Sequence, residues 1–401
     1  MAITEAVVLA AGEGRRLRPL TYNRPKPMLP VAHRPIIEYV LDSLIDGGIE
    51  RIAIVVGYRG ARVKSHFGPT YRDIPIEFIN QRKQLGSAHA LLQARGSGIP
   101  RESDRFLVVN GDQLYDPSLV ESVVDRSTES TLALGIVRSD RAAEYGAVRL
   151  DGDRVTEFVE RPETDTYRLL NAGIYSVTEE IFSVVDDTER KDGELAMSGV
   201  IDNLLAAGDP ITGIRSDGWW DDATYPWDLL RLTEAVLTAG RMSIPATADE
   251  PQSWIAPSAT VHETATIRPP AVVGPDATIG PMSVVGPTVA IGRNVTVGAG
   301  SILERSLLDA DARIGPGSTL VEAVVGQGVV IGAENTVSGG PAEVRIDDRI
   351  FRDRPLGAVI ADRATTAGAV TFAPGTLVGP SATVGTGVSV EGIVDRGTEV
   401  R

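Results

Sequence analysis

The stretch Ile279-Gly-Pro-Met-Ser-Val-Val285-Gly-Pro-Thr-Val-Ala-Ile291-Gly-Arg-Asn-Val-Thr-Val297 places a β-branched aliphatic residue at every sixth position. The same phase runs back through Val273, Ile267 and Val261 to Ile255 and forward to Leu303, and most of these residues precede Gly or Ala and a turn-forming Pro, Asn or Asp. A period of six supplies one short strand and one turn per repeat. Three repeats close a triangular coil whose apolar residues stack on those of the next coil. Further phases run through Leu308, Ile314 and Leu320, through Val325, Ile331 and Val337, and through Ile360, Thr366, Phe372, Val378, Val384 and Val390. Each one-residue slip is expected to be a corner or bulge. Residues 338–359 break the period and are expected to leave the coil as a loop or hairpin.

Upstream the pattern differs. Ala6-Val7-Val8-Leu9-Ala10, Arg51-Ile52-Ala53-Ile54-Val55-Val56 and Arg105-Phe106-Leu107-Val108-Val109 read as buried strands. Between the first two, Ile36, Ile37, Val40, Leu41, Leu44 and Ile45 form a helical stripe that Gly47-Gly48 ends. Alternating strands and helices predict a mostly parallel sheet covered on both faces, with ligands beyond the carboxyl ends of its strands. The expected organisation is an α/β domain over 1–240, a linker over 241–254 and the repeat domain over 255–401. The repeat resembles the left-handed parallel β-helix of hexapeptide-repeat proteins, whose habit is to trimerise, so a homo-oligomer is expected. The chain's 5% aromatic content suits so narrow a prism.

The 401 residues carry a net charge of −15, which makes the chain a poor candidate for binding nucleic acid. No run approaches the length of a membrane span, and no basic region precedes the first apolar stretch, so a cytoplasmic protein is expected. Zero cysteines exclude disulfides, thiolate metal sites and thiol nucleophiles, and four histidines leave little for a histidine-rich metal centre. Lys26, Lys64, Lys83 and Lys191 are the only lysines beside an abundance of arginine. That skew fits either adaptation to concentrated internal salt, as in a halophile, or a codon bias.

Beyond the first strand lies Leu9-Ala-Ala11-Gly12-Glu-Gly14-Arg15-Arg16-Leu-Arg18-Pro-Leu-Thr21. Glycines let backbone N–H groups approach phosphates, and arginines add charge-assisted bonds. Next comes Arg24-Pro25-Lys26-Pro27-Met28, whose prolines are expected to hold the backbone extended and fix one ammonium in place. Two aspartate-bearing segments, Asn110-Gly111-Asp112 and Trp220-Asp221-Asp222, could together hold Mg²⁺, which prefers hard oxygen ligands.

The stretch from Leu9 to Met28 resembles the signature of the sugar-1-phosphate nucleotidylyltransferases, with Arg15 where the family usually has threonine and the pattern's arginine at Arg16. Gln81-Arg-Lys-Gln-Leu-Gly86-Ser87-Ala-His89 resembles the segment that reads the nucleotide base. Tyr145-Gly146, Glu160-Arg161-Pro162 and Asn171-Ala-Gly173 resemble its sugar-binding motifs. The resemblance implies Arg16 and Lys26 as catalytic residues, and Leu9, Ala11, Gly12, Gly14, Arg15, Gln81, Gly86, Ser87 and Gly111 as nucleotide contacts. It implies Gly146, Glu160, Arg161 and Asn171 as sugar-phosphate contacts and Asp112 and Asp222 as Mg²⁺ ligands, with Asp221 in reserve. His89 reads as a packing or capping residue.

The implied partners are a nucleoside triphosphate and a sugar-1-phosphate, joined by in-line attack on the α-phosphorus to give a nucleotide-sugar and pyrophosphate. UTP is favoured over dTTP by Ala11 and by the Gln81 to Gly86 spacing, with glucose or N-acetylglucosamine as the sugar. Some relatives of this layout also acetylate glucosamine-1-phosphate. His262 lies far in sequence from where those relatives keep their base, and Gly339 stands where they have asparagine, which argues against that second activity. Others are non-catalytic regulatory or exchange-factor subunits. Retention of Gly12, Gly14, Arg16, Lys26, Asp112 and Asp222 favours an enzyme.

Overall fold

A computed structural model describes residues 3–99, 105–126, 129–164, 166–245 and 251–401; part of the expected linker, 246–250, lies outside them. The chain forms two compact units that do not follow chain order. The first comprises Met1–Glu13, Pro25–Met28 and Ile36–Asp222, and the second Gly14–Arg24, Leu29–Pro35 and Ala223–Arg401.

In the first unit the three valine-rich runs are neighbours in a ten-stranded sheet, Glu5–Ala10 lying parallel between Arg51–Val56 and Arg105–Asn110. Leu9 pairs with Val55 on one side and Asn110 on the other, so the carboxyl ends of these strands are level. Ile74–Asn80 extends the parallel portion. On the other side the sheet continues through antiparallel Leu169–Thr178 to Leu132–Arg138. Successive side chains of the first strand face opposite ways, as strand pleating requires. Ala6, Val8 and Ala10 join one buried cluster with Ile37, Val40, Leu41 and Leu44 of the helix Ile36–Asp46, while Val7, Leu9 and Ala11 join a second. The helix ends where Gly48 adopts φ 92°, and Ile49 N donates to Leu44 O over 3.0 Å.

The hexads of the second unit build three parallel sheets of eight, eight and seven short strands. Val273 pairs with Ile291, Ile279 with Val297 and Val285 with Leu303, three hexads apart in each case. This fits the left-handed parallel β-helix, and its core is built on the sixth-position set, joined by residues such as Val289 and Val295. Val285, Ile291, Leu303, Val337, Ile360 and Phe372 are fully buried. The one hydrophilic member, Thr366, is buried too, its hydroxyl donating to Asn335 Oδ1 at 3.3 Å. The first two slips in phase are corners at Arg305 (φ 41°) and Glu322 (φ 53°). The broken stretch leaves the coil as an antiparallel hairpin, Ala342–Ile346 with Arg349–Arg354. The helix Pro226–Thr238 belongs to this unit. Its Trp227 stacks on Tyr225 and meets hairpin Phe351, with ring centroids 4.8 and 5.2 Å apart. Among the described residues no helix is long and apolar enough to cross a membrane.

Candidate active site

At the carboxyl ends of the first unit's parallel strands, Lys26 Nζ lies 2.9 Å from Asp112 Oδ2 and 2.8 Å from Asp222 Oδ1. Local pairing brings these residues together from distant parts of the chain. Gly111 N donates to Leu9 O over 2.9 Å, setting the turn after strand Arg105–Asn110. A Cβ on Gly111 would lie 3.0 Å from a Val8 methyl, so the turn hugs the first strand. The short strand Gln113–Tyr115 then pairs antiparallel with Trp220–Asp222, setting Asp222 opposite Gln113, the residue after Asp112. Trp220 anchors that strand, with Nε1 donating to Ala172 O over 2.9 Å and its ring set edge-on to Tyr145.

Asp221 is committed elsewhere. Its Oδ1 accepts from Arg141 Nη1 at 3.2 Å and from Asp222 N at 2.8 Å, so the second carboxylate facing Lys26 is that of Asp222. Lys26 does not stand on extended backbone as its prolines suggested. Lys26–Met28 is a single 3₁₀ turn closed by Met28 N donating to Pro25 O over 3.0 Å. Pro27 fits there because the early N–H groups of a helical turn have no partner to lose. Burial alone would lower the pKa of Lys26; the charges of Asp112 and Asp222 outweigh it and hold the ammonium above the ordinary lysine range.

The base-reading segment is tightly organised. Gln81 is buried, and its Nε2 donates to Gly86 O at 3.1 Å and to His89 Nδ1 at 2.8 Å. Burial, then the charge of Arg190, lowers the pKa of His89, so the ring is neutral and can accept. Both bonds use the amide nitrogen, which fixes the amide's orientation; Oε1 has no partner among the described residues. Gly86 adopts φ 103°, and a Cβ there would lie 2.4 Å from Leu195 O. Leu195 N in turn donates to Leu85 O over 2.7 Å, and Ser87 Oγ accepts from Met197 N at 2.9 Å. Leu195 thus holds the base-reading loop through its backbone, a role that leaves no mark on residue type.

Glycine and carboxylate at the sugar motifs are cross-strand partners. Gly146 pairs with Glu160, and a Cβ on Gly146 would lie 2.8 Å from the Phe158 ring. Glu160 and Arg161 are exposed, and Arg161 N donates to Tyr145 O over 2.9 Å. Asn171 Nδ2 donates to Tyr175 Oη at 2.9 Å while its Oδ1 accepts from Gly173 N at 3.1 Å. Burial pushes the Tyr175 hydroxyl up to about 12, so it stays protonated. Leu9 and Ala11 are buried, and Ala11 O accepts from Tyr58 N at 3.2 Å, whereas Gly12 is exposed with open space where a Cβ would point.

Gly14, Arg15 and Arg16 fall in the second unit. There Gly14 takes φ 65°, and its carbonyl accepts from Leu17 N and from the Thr21 hydroxyl, closing the 3₁₀ turn Arg15–Leu17. Sequence reading overlooked Arg141, Tyr145 as an aromatic partner, and Leu195.

Residues 5–239 match the family model described as nucleotidyl transferase, and residues 267–366 match one described as the GMPPB C-terminal domain. The UTP–glucose-1-phosphate uridylyltransferase AglF of Haloferax volcanii is 37% identical over 56% of this chain and 93% of its own length. A protein named bifunctional protein GlmU from Methanococcus maripaludis is 35% identical over 99% of this chain and 97% of its own. The solved structure of a UDP-glucose pyrophosphorylase complexed with UDP-glucose superposes with a TM-score of 0.53 at 22% identity, covering 59% of this chain and 99% of that one; that likeness is one of fold.

Proposed function

Because the chain belongs to the nucleotidyl transferase family, we propose that it joins UTP and glucose-1-phosphate to give UDP-glucose and pyrophosphate. The observation that carries the reading is the Lys26 ammonium held between Asp112 and Asp222 beyond the strand ends. In the reaction an oxygen of the sugar phosphate attacks the α-phosphorus, a new P–O bond forms in line with the α–β bridge that breaks, and pyrophosphate leaves with the electron pair. Little proton transfer is needed, so the protein's task is to position reactants and stabilise charge. Lys26 supplies a fixed positive charge to the α-phosphoryl oxygens as they gain charge. Backbone amides at Gly12 and Gly14 and the side chains of Arg15 and Arg16 serve the triphosphate, and Leu9, Ala11, Ser87 and Gly111 line the nucleoside's seat. Gly146, Glu160, Arg161 and Asn171 hold the sugar phosphate, with Arg161 offering a bidentate guanidinium.

Asp112 and Asp222 fit Mg²⁺. Both are hard oxygen donors, and both reach one cation, the Lys26 ammonium. A pair of such donors suits an ion that keeps positions for water and phosphate. When bound, Mg²⁺ would neutralise phosphate charge during the displacement.

The orientation of Gln81 favours a base with an N–H at position 3, uracil or thymine. Its amide nitrogen is spent on Gly86 and His89, so the remaining oxygen can only accept. Uracil offers an N–H at position 3, whereas cytosine presents a lone pair there. AglF, by its name, acts on UTP and glucose-1-phosphate, which supports the same choice here. For acetyl transfer the repeat domain offers a single histidine. His262 is exposed, and its Nδ1 accepts from the neighbouring Thr264 N at 3.2 Å.

Pyrophosphate release should be measured with UTP, dTTP, CTP, ATP and GTP against glucose-1-phosphate and N-acetylglucosamine-1-phosphate. UTP with glucose-1-phosphate should give the highest kcat/KM, at least about 100-fold above CTP because an unmatched buried amide is costly, with dTTP second. Equal use of CTP, or no pyrophosphate from any pair, would overturn the reading.

A further inference from the structure

The strand that carries Asp222 is held by backbone on one side only. Trp220–Asp222 and Gln113–Tyr115 form a two-stranded sheet, so among the described residues the strand has a single ladder partner. Successive side chains of a strand point to opposite faces, which turns Asp221 away from Asp222. Asp222 Oδ1 meets Lys26 Nζ at 2.8 Å, while Asp221 Oδ1 accepts from Arg141 Nη1 at 3.2 Å. The same oxygen accepts from Asp222 N at 2.8 Å. One carboxylate oxygen therefore ties the Asp222 backbone to a guanidinium.

Arg141 is itself fixed. It follows strand Leu132–Arg138 and precedes the 3₁₀ turn Ala142–Glu144, its N donating to Ser139 Oγ at 3.1 Å and its carbonyl accepting from Glu144 N at 2.9 Å. Its Nη2 donates to Tyr145 Oη and to Glu144 Oε2, both at 2.8 Å, and its Nε donates to Glu144 Oε2 at 3.2 Å. Tyr145 stands edge-on to Trp220, with ring centroids 4.9 Å apart, and immediately precedes strand Gly146–Asp151. One guanidinium thus joins the strand of the Lys26-facing carboxylate to the start of the strand given to the sugar. All of these residues belong to the first unit.

Stability does not account for the arrangement. Arg141 is 33% exposed and Glu144 58%, and ion pairs so open to water contribute little to folding. Geometry accounts for it better. The planar fork of an arginine reaches several acceptors at fixed angles, which a single ammonium cannot do. A strand with one ladder partner can rotate about it, and that rotation would swing Asp221 and Asp222 together. Holding one carboxylate therefore sets the other.

We propose that Arg141 is a positioning residue for Asp222, its guanidinium holding Asp221 and Tyr145 so that the neighbouring carboxylate is presented to the reacting phosphates in one orientation. The inference rests on the role given to Asp222 above.

Arg141→Met in the full-length protein removes the fork and keeps the stem, and it should fold because the side chain is one-third exposed. With UTP and glucose-1-phosphate its kcat should fall about 10- to 100-fold, the range for losing a group that orients a ligand of the reaction centre. KM for UTP should stay within about threefold, because the change removes no contact to the nucleotide. Arg141→Lys restores the charge without the fork and should remain at least about fivefold below the parent. Full recovery would mean that charge alone suffices and overturns the inference. Asp221→Ala should match Arg141→Met, and the double variant should lose no more than either alone, because both break one link. Losses that multiply overturn it.

A crystal structure of Arg141→Met supplies a readout independent of turnover. The separation of Asp222 Oδ1 from Lys26 Nζ, 2.8 Å in the parent, should open beyond about 4 Å, the limit of an ion pair. An Asp222 that has not moved overturns the inference whatever the kinetics. Should Arg141→Met fail to fold, Asp221→Ala decides by the same two readouts. A parent protein silent in the assay overturns the nucleotidyl-transfer reading, and the Asp222 separation then decides whether Arg141 positions that carboxylate. An active parent beside an equally active Arg141→Met protein overturns the inference alone.

Discussion

Lys26 and Arg24 are two residues apart, and each is a cation between two aspartates. The Lys26 cluster includes a carboxylate 32% exposed at Asp112, whereas no member of the Arg24 cluster exceeds 14%. Both cations have raised pKa values for the same reason, the opposing charges outweighing burial. Accessibility separates them. Water, phosphate and metal can reach the first at Asp112, so its charges can be used and restored in a catalytic cycle. Neither carboxylate of the second, Asp309 or Asp362, is as open as Asp112, so its charges serve to fix geometry.

The largest effect should come from the accessible cluster. Lys26→Ala removes a charge aimed at the reacting phosphate and should lower kcat about 1,000-fold, the upper range for losing one preorganised donor. Its melting temperature should fall less than that of Arg24→Ala, because Asp112, one of the two carboxylates left behind, is 32% exposed. Near-parental pyrophosphate release from a folded Lys26→Ala protein would sink the catalytic role of the lysine.

The sealed cluster should show the opposite profile. Arg24→Ala strands Asp309 and Asp362 in a buried site and should cost about 3–5 kcal/mol of stability, read as a lowered midpoint in urea unfolding. If Arg24→Ala and Lys26→Ala lower that midpoint equally, the contrast between an open and a sealed triad is wrong.

This contrast also marks what could be read from residues alone. The β-helix was legible because its inward positions repeat every sixth residue and must be apolar, and even the slips at Arg305 and Glu322 showed as shifts of phase. Lys26 stood out as a proline-flanked lysine in an arginine-rich chain, and the resemblance paired it with Asp112 and Asp222, which the fold brings within 2.9 Å of it. The partners of Arg24 left no such trace. They lie 285 and 338 residues away at β-helix corners where an aspartate is an ordinary turn residue. The 3₁₀ turn at Lys26–Met28 was misread because proline disfavours helix interiors, whereas this turn is too short to have one. Arg141 was missed because its partner Asp221 reads from sequence as a spare metal ligand.

The smallest expected effect concerns another polar group of the second unit, His33. His33 Nε2 lies 2.9 Å from Ser243 Oγ, while its Nδ1 is buried without a partner among the described residues. Burial first, then the charge of Arg34, lowers its pKa to about 4 from the usual 6.5, so the folded protein keeps it neutral. Between those two values the unfolded chain binds a proton that the folded chain does not. The stability associated with the neutral ring is therefore complete above pH 6.5 and is lost as pH falls toward 4, for a total of about 3 kcal/mol. Urea unfolding at pH 7.5 and at pH 4.5 should show this loss in the parent and a smaller one in His33→Gln, which cannot take up the proton. Lys26 and Arg24 stay charged across that window, so neither cluster's cation adds to the slope. An identical acid dependence in His33→Gln would show that the ring does not carry the effect.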